Sequence, residues 1–164
     1  MTINIVTQDS LREVVSYDEI TGIMRWTRPS KYKPQLTGKE VGWLNQRGYR
    51  GVIIQGRIYL VHRLIWLYVY GTFPKDQIDH TNRIKDDNRI INLRDVTNQE
   101  NCKNQKLRKT NTSGVMGVKL NKLKNRWEAF IGDRYLGAFD LKSDAIICRK
   151  KAEIEHNYHP NHGA

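Results

Sequence analysis

The chain has few of the residues that mark secreted, zinc-bound or membrane-spanning proteins. Only two of its 164 residues are cysteines, Cys102 and Cys148, and they lie far apart without a C-x-x-C pair. That argues against a disulfide framework and against a structural zinc site. No apolar run reaches the roughly 18 residues of a membrane span, and the start, MTINIVTQDSLREVV, does not resemble a secretory signal. We therefore expect an intracellular protein that does not act at a membrane.

Length and charge narrow the function further. A chain of 164 residues can form one medium domain or two small ones, so a single large enzyme fold is not expected. Its formal net charge of +11 favours a polyanionic partner, with nucleic acid as the first candidate. Residues 61–102 carry six basic and six acidic side chains, whereas residues 103–164 carry thirteen and six. The sequence thus predicts that residues 103–164 contact DNA and that the neutral residues 61–102 have a separate, catalytic role.

The first 74 residues alternate between strand-like and loop-like segments. Residues 10–26 predict a short helix and then, after the turn pair Thr21-Gly22, a strand at IMRWT. Residues 27–48 are rich in Lys, Gly and Pro and predict a loop. Two β-branched and aromatic runs flank Gln55-Gly56-Arg57, which predicts a hairpin. The apolar segment 62–70 fits a helix or a strand, and we favour a helix ended by Gly71 and Pro74.

The central segment IDHTNRIKDDNRIINLRDVTNQENCKNQ predicts a strand, a long turn, a second strand and a helix. The first strand closes at His80, the charged TNRIKDDNR forms the turn, and IINLRDV forms the second strand. Thr97 and Glu100 have the spacing of a capping box, which predicts that a helix begins at Thr97. Asn101 then lies in the first turn of that helix, facing back toward the hairpin.

Four side chains of this segment suit phosphodiester hydrolysis. Asp79 offers a hard oxygen ligand and Asn101 a side-chain carbonyl, a pair that suits Mg²⁺. His80 titrates near neutrality, so its imidazole can take a proton from water. The amide of Asn92 can bond backbone groups across the turn and keep that imidazole aimed. An Asp-His pair alone is more often an ordinary surface or turn element, and Asp79 and His80 share one site only if the strand ends or bulges there.

The segment resembles the HNH endonucleases of the ββα-metal finger group, in particular the HNN variant of phage and intron-encoded homing endonucleases. The preceding VHRLIWLYVYGTFP is also similar to the segment before the hairpin in those proteins. The resemblance implies that His80 is the general base and that Asp79 and Asn101 bind a divalent metal, with Mg²⁺ expected and Mn²⁺ as the alternative. It implies that Asn92 orients the base, and that the protein works in the cytoplasm of a bacterial or phage-infected host. Asn101 departs from the parent pattern, since many relatives carry the last His there.

The remaining histidines have competing interpretations. His62 lies in the apolar context VHRL, and a buried, hydrogen-bonded packing role is favoured over catalysis. Near the end of the chain, His156, His159 and His162 recur every three residues in HNYHPNHGA. Such spacing could ligate a transition metal, but Pro160 and the terminal position favour a frayed tail.

The basic final third predicts a small sheet backed by one helix. Strands are expected at residues 117–120, 126–131 and 134–139, followed by a helix with Ser143 as its N-cap. In that helix Ala145, Cys148 and Ala152 form a face of small residues. In the middle strand Trp127, Ala129 and Ile131 share the face toward the helix, which leaves Arg126, Glu128 and Phe130 on the other.

Residues 113–155 resemble the Apetala-type DNA-binding domain of plant ethylene-response factors. The residues that carry the resemblance are Gly117, Val118, Trp127, Ala129, Ile131, Leu136, Gly137, Phe139, Ala145 and Ala152. The resemblance implies that the exposed face of the sheet enters the major groove of DNA. Lys119 stands where relatives carry a basic DNA contact, and Arg126 is a candidate phosphate or base contact. Phe130 and Gly132 replace polar and charged readers of that family, so its sequence preference does not transfer.

Together these patterns predict an α+β protein in which a ββα-metal HNH nuclease unit precedes a three-stranded sheet with one helix that binds DNA. The predicted parts are an N-terminal region and nuclease domain at 1–102, whose core motif spans 61–105, a basic linker at 103–113, the Apetala-type domain at 114–156 and a tail at 157–164. The linker residues expected to follow the DNA backbone are Lys103, Lys106, Arg108 and Lys109.

We expect a monomeric, metal-dependent endonuclease that nicks double-stranded DNA at a directed site, as homing enzymes do. The alternative is a non-catalytic, sequence-specific DNA-binding protein whose HNH unit has decayed. A nonspecific, toxin-like nuclease is a third possibility, although it would need less targeting apparatus than this chain carries.

Overall fold

The computed structural model describes residues 6–29, 31–160 and 162–163. The chain divides into two compact units, Met1–Asn98 and Gln99–Ala164. Short helices and small antiparallel sheets alternate in both, which is compatible with the predicted α+β class. The elements of the first unit are α1 (Gln8–Arg12), β1 (Val15–Asp18), β2 (Ile23–Trp26), a 3-10 helix (Pro34–Leu36), β3 (Trp43–Leu44), β4 (Arg50–Ile54), β5 (Arg57–Leu60), α2 (Val61–Tyr70), β6 (Gln77–His80), a second 3-10 helix (Ile90–Asn92) and β7 (Leu93–Val96).

An N-terminal hairpin formed by β1 and β2 opens the first unit. Its antiparallel register pairs Val15 with Trp26 and Asp18 with Ile23. The Asp18 carboxylate accepts from the backbone N–H of Ile20 at 2.9 Å, which holds the turn. Strand β2 was predicted, but β1 was not, because a four-residue strand following directly on a short helix carries too few residues for a period-two pattern.

The β3-β4-β5 sheet and helix α2 form the centre of this unit. Gln55 and Gly56 turn between β4 and β5 with φ values of 51° and 75°, so the predicted hairpin is confirmed. Helix α2 is also confirmed, and it ends at Gly71, whose φ of 80° is left-handed. The apolar face of α2 enters a core that contains Leu11, Val15, Met24, Val41, Val52, Val61, Leu64, Ile65 and Leu67. None of the helices in the described ranges is long and apolar enough to cross a membrane.

The second hairpin of the unit carries the sequence motif. Strand β6 ends at His80 and pairs antiparallel with β7, with Asp79 opposite Arg94. The predicted second strand was too long, since Ile90–Asn92 form a 3-10 helix and β7 begins at Leu93. The reason is that the backbone N–H of Asn92 donates to the carbonyl of Arg89 at 2.8 Å, which closes a turn before the ladder begins.

The second unit contains a three-stranded antiparallel sheet with one helix packed on it. The short helix α3 (Asn98–Cys102) runs from the last residue of the first unit into the second, and it begins one residue after the predicted start at Thr97. The elements that follow are β8 (Val118–Asn121), β9 (Arg126–Ile131), β10 (Arg134–Phe139) and α4 (Lys142–Glu155), in the sheet order β10-β9-β8.

The three predicted strands of this unit are confirmed to within one residue. Ala129 of β9 and Ala145 of α4 are fully buried against each other's elements, as the alternation of β9 predicted. The predicted cap of α4 is wrong. The N-cap is Leu141, two residues before Ser143, and the Ser143 hydroxyl donates to Asp144 at 3.3 Å instead.

In the described residues 156–160 and 162–163 the end of the chain is not a frayed tail, which corrects that prediction for this part of it. His162 is only 4% exposed, and its Nε2 lies 3.2 Å from Arg149 Nη2 of α4. The backbone N–H groups of His159 and Gly163 donate to the carbonyls of Lys103 and Gln105. Buried polar partners therefore order residues for which Pro160 and the terminal position favoured a frayed tail. The described residues contain no group of three or more His, Cys, Asp or Glu side chains that could hold a metal ion.

We predict that Gly22→Ala destabilises the protein far more than Gly56→Ala. Both glycines have φ near 75°, so each substitution incurs left-handed strain of about 1 kcal/mol. A methyl group on Gly22 would also lie 2.5 Å from the backbone nitrogen of Arg89, whereas one on Gly56 meets nothing within 4 Å. We expect urea unfolding, followed by tryptophan fluorescence, to show a further loss of about 2 kcal/mol or more for Gly22→Ala. Equal losses would contradict this packing.

Candidate active site

His80 lies at the last position of β6, in a buried and largely aromatic setting. Its side chain is 3% exposed, and its ring centroid lies 5.2 Å from that of His62 and 5.9 Å from that of Tyr49. His80 Nε2 is 3.2 Å from the side-chain oxygen of Asn88. Burial lowers the pKa of His80 below its usual 6.5, while Asn88 and the charge of Asp79 act in the opposite direction. The imidazole is therefore neutral at physiological pH and able to accept a proton.

Side chains within the hairpin loop, residues 81–92, hold that loop closed. Asn92 Oδ1 accepts from the backbone N–H of Asn82 at 2.9 Å, and Asn92 Nδ2 donates to the carbonyl of Asp87 at 2.8 Å. Asn82 Nδ2 also donates to the Asp87 carboxylate at 2.6 Å. The Arg89 guanidinium beside Asp87 lowers the pKa of that carboxyl to about 2, so the Asp87 charge persists at neutral pH. These contacts fix the path of the backbone between β6 and β7.

Asp79 is a buried carboxylate with a strong partner in Arg94. It is 7% exposed, and its Oδ2 accepts from Arg94 Nε at 2.8 Å and from Arg94 Nη2 at 2.6 Å. The two residues face each other across the β6-β7 ladder, so the pairing register itself creates this ion pair. Asp79 contributes to the pKa of His80, so its charge lies within electrostatic reach of the imidazole although the two residues are neighbours on one strand.

The side chains at this site fit a magnesium ion that takes most of its ligands from water and substrate. Mg²⁺ prefers one or two carboxylates and takes its remaining oxygens from water and phosphate. Asp79 supplies such a carboxylate, held in one orientation by Arg94. His80 is buried, neutral and hydrogen-bonded to Asn88, which suits a base better than a ligand. The Arg94 ion pair, however, competes with a cation for the Asp79 carboxylate.

The four predicted site residues are divided between the two units. Asp79, His80 and Asn92 lie in the first, where the structure gathers them on one hairpin. Asn101 lies in α3, within the unit that begins at Gln99, and its side chain is half-buried. The assignment of Asn101 as a metal ligand stays a prediction.

His62 is buried, as the sequence predicted, but it is not fully hydrogen-bonded. It is 4% exposed, and among the residues that the structure describes its Nδ1 has no hydrogen-bond partner. Burial, with the nearby His80 and Arg63, lowers the pKa of His62 to about 3. His62 is thus an uncharged side chain that packs against the ring of His80.

Sequence reasoning missed two residues at this site, Tyr49 and Asn88. The Tyr49 ring contacts both His62 and His80, and Lys85 Nζ lies 4.7 Å from its centroid. Tyr49 comes from the segment before β4, 31 positions from His80, so no local spacing connects them. Asn88 sits in a polar turn, where asparagine is too common to attract notice.

Some of the predicted DNA-contacting residues of the second unit are exposed, whereas others bond to groups within the protein. Lys106, Arg108, Lys109 and Lys119 are exposed. Lys103 instead donates through Nζ to the carbonyl of His156 at 2.7 Å. Arg126 pairs with Asp140 at 2.9 Å, in a solvent-exposed geometry that a phosphate can displace.

Comparison with known families gives a match that covers the hairpin of β6 and β7. Residues 59–103 match the model of a family described as HNH endonuclease. This segment contains Asp79, His80, Asn92 and Asn101, so the match supports a nuclease that acts on DNA and agrees with the HNH resemblance. The match does not reach the sheet of the second unit, and the homing and Apetala-type resemblances stay predictions. Comparisons with curated proteins and with solved structures find no significant match.

We predict that His62 makes the protein less stable as the pH falls. Its folded-state pKa of about 3 lies below the unfolded value of 6.5, so the unfolded chain binds the extra proton first and stability is lost between pH 6.5 and 3. The greatest contribution from one such group is about 1.4 kcal/mol per pH unit. His62→Gln should flatten the dependence of unfolding free energy on pH in this range. Exposed His156→Gln is the control, and a change of slope in that variant alone would contradict the assignment.

Proposed function

We propose that this protein is a metal-dependent DNA endonuclease that hydrolyses phosphodiester bonds and nicks double-stranded DNA at a directed site. The observation that carries the proposal is a neutral, buried His80 at the end of β6, held by a polar loop within the segment that matches HNH endonucleases. A homing-type role inside a bacterial or phage-infected cell, performed by a monomer, is part of the same proposal.

In the proposed reaction His80 takes a proton from a water molecule whose oxygen attacks phosphorus. The new P–O bond forms as the P–O3′ bond breaks, and the departing oxygen keeps the electron pair of the broken bond. Asn92 positions the loop that follows His80, since both ends of its amide are bonded to loop backbone. A bound divalent metal would supply Lewis-acid stabilisation of the phosphorane charge and of the leaving oxygen.

The proposed metal ligands are Asp79 and Asn101, with Mg²⁺ as the expected ion and Mn²⁺ as the alternative. Arg94 has two roles that act in opposite directions here. It orients the Asp79 carboxylate, and its positive charge reduces the attraction between that carboxylate and a cation. A neutral amide at Asn101 adds no charge, so affinity depends strongly on oxygens that the DNA phosphate contributes.

The second unit is proposed to bind DNA through the exposed face of its sheet and the basic segment before it. Lys119 lies on that face, 4.5 Å from the Phe130 centroid, and Arg126 is the first residue of β9, the strand that pairs with β8. Lys106, Arg108 and Lys109 add three exposed positive charges, and we propose that they follow the phosphate backbone.

One observation favours the second candidate, a DNA-binding protein without catalysis. The Arg94 ion pair already neutralises Asp79, as expected if the metal site has decayed. Two observations oppose this second candidate. The loop around Asn92 is closed and His80 is neutral, and DNA binding alone requires neither feature.

The test of the proposed function is conversion of supercoiled plasmid to nicked circles. We expect nicking with Mg²⁺ or Mn²⁺, none with EDTA, and a loss of at least about a hundredfold in His80→Ala, because general-base catalysis contributes 10²–10⁴-fold.

The matched control is His156→Ala, which removes an exposed histidine of α4's C-terminal cap and should leave the nicking rate unchanged. Plasmid that is bound but never cut would establish the second candidate. Cutting that survives both EDTA and His80→Ala would point to a contaminating nuclease.

We also predict the salt dependence of DNA binding. Replacing Lys106, Arg108 and Lys109 together by alanine should make the slope of log affinity against log salt less steep by roughly 0.9 for each phosphate that the protein no longer neutralises. A control with the same charge change replaces the exposed Lys31, Lys33 and Lys39 of the first unit. The idea fails if the first triple variant keeps the slope of the unaltered protein.

A further inference from the structure

The hydrogen bond between His80 and Asn88 determines which nitrogen of the His80 ring carries the hydrogen. Asn88 presents its side-chain oxygen to His80 Nε2 at 3.2 Å, and that oxygen carries lone pairs and no proton. The nitrogen that faces it must therefore carry the hydrogen. A neutral imidazole has one N–H, so the lone pair resides on Nδ1. Because both residues are buried, bulk water does not compete for this contact.

Asn88 is itself held by the N-terminal hairpin, far away in the sequence. The Tyr17 hydroxyl of β1 donates to the backbone carbonyl of Asn88 at 2.9 Å and accepts from the backbone N–H of Ile90 at 2.9 Å. Burial raises the pKa of Tyr17 to about 12, so the phenol keeps the proton that it donates. At Gly22 the turn of the same hairpin approaches the backbone of Asn88 and Arg89 so closely that no side chain fits.

We propose that Asn88 is a positioning residue that fixes His80 as the Nε2–H tautomer, and that Tyr17 and the N-terminal hairpin hold Asn88 in place to do so. The reacting atom is then Nδ1, an assignment that rests on the proposed function. This gives the first part of the chain a role that its sequence did not reveal.

The proton and electron balance follows from this assignment. Nδ1 of His80 takes the proton of the attacking water while the water oxygen bonds to phosphorus. The imidazole becomes a cation with a hydrogen on each nitrogen. Asn88 Oδ1 continues to accept from Nε2 and now stabilises a charged donor, which strengthens the same hydrogen bond. The pair thus stabilises the state that follows proton transfer.

The opposite orientation of the Asn88 amide makes a distinct prediction. If Nδ2 faced His80, it would donate to Nε2, the hydrogen of the imidazole would lie on Nδ1, and the reacting atom would change. The two tautomers are distinguished by the ¹⁵N chemical shifts of the ring, because protonated and lone-pair nitrogens resonate in separate regions.

The experiment records long-range ¹H–¹⁵N spectra of the full-length, ¹⁵N-labelled protein at about pH 8, where unperturbed histidine is neutral. We expect Nε2–H at His80 in the unaltered protein and in Asn88→Asp, whose carboxylate is also an acceptor. Asn88→Leu should lose the preference and give a mixture of tautomers. In plasmid nicking, Asn88→Leu should lower kcat about a hundredfold with little change in KM, and Asn88→Asp should restore kcat to within about tenfold.

Tyr17→Phe is the second variant, in case Asn88→Leu does not fold. It removes one oxygen that is bonded to two loop backbone groups, and we expect a mixed tautomer and a fall in kcat of roughly tenfold. An unchanged His80 spectrum in Tyr17→Phe would overturn the role of the hairpin.

An Nδ1–H tautomer in the unaltered protein would overturn the proposal, whether or not plasmid is cut. The Nε2–H tautomer in a protein that never cuts would leave the Asn88 assignment standing and overturn the proposed function.

Discussion

The site depends on one constraint, that His80 must be both buried and correctly hydrogen-bonded. Burial keeps the imidazole neutral, and the Asn88 oxygen gives its Nε2 a hydrogen-bond partner within the protein. The loop closed by Asn92 carries Asn88, and the ladder between β6 and β7 carries the Asp79–Arg94 pair beside it. The fold of the first unit thus positions each polar group around one histidine.

The distribution of charge along the chain is consistent with separate regions for DNA attraction and for DNA cutting. The segment around His80, residues 61–102, carries six basic and six acidic side chains, so its net charge is zero, and Asp87 and Asp79 pair with Arg89 and Arg94. Of the net charge of +11, +7 lies in residues 103–164, where Lys106, Arg108 and Lys109 are exposed. Long-range attraction by that part of the chain would bring DNA to the protein, whereas cutting depends on short-range geometry at His80.

The sequence predicted those parts of the structure that local patterns specify. Helix α2, the β4-β5 hairpin and strands β9 and β10 follow from periodicity and turn residues, and Asp79, His80 and Asn92 lie on the hairpin that the motif predicted. It failed where distant residues meet. Tyr17 lies 71 positions before Asn88, and Tyr49 lies 31 before His80. His162 is ordered by Arg149, a buried ion-pair partner in α4 that composition cannot reveal.

We propose that the hairpin of β6 and β7 forms a hydrolytic metal site beside His80. A crystal of the protein with DNA and Mn²⁺, measured at the manganese absorption edge, tests it most directly. We expect one anomalous peak on the Asp79 carboxylate, shared with a DNA phosphate, and a water molecule beside His80. DNA bound with Arg94 still on Asp79 and no manganese at that carboxylate would contradict it.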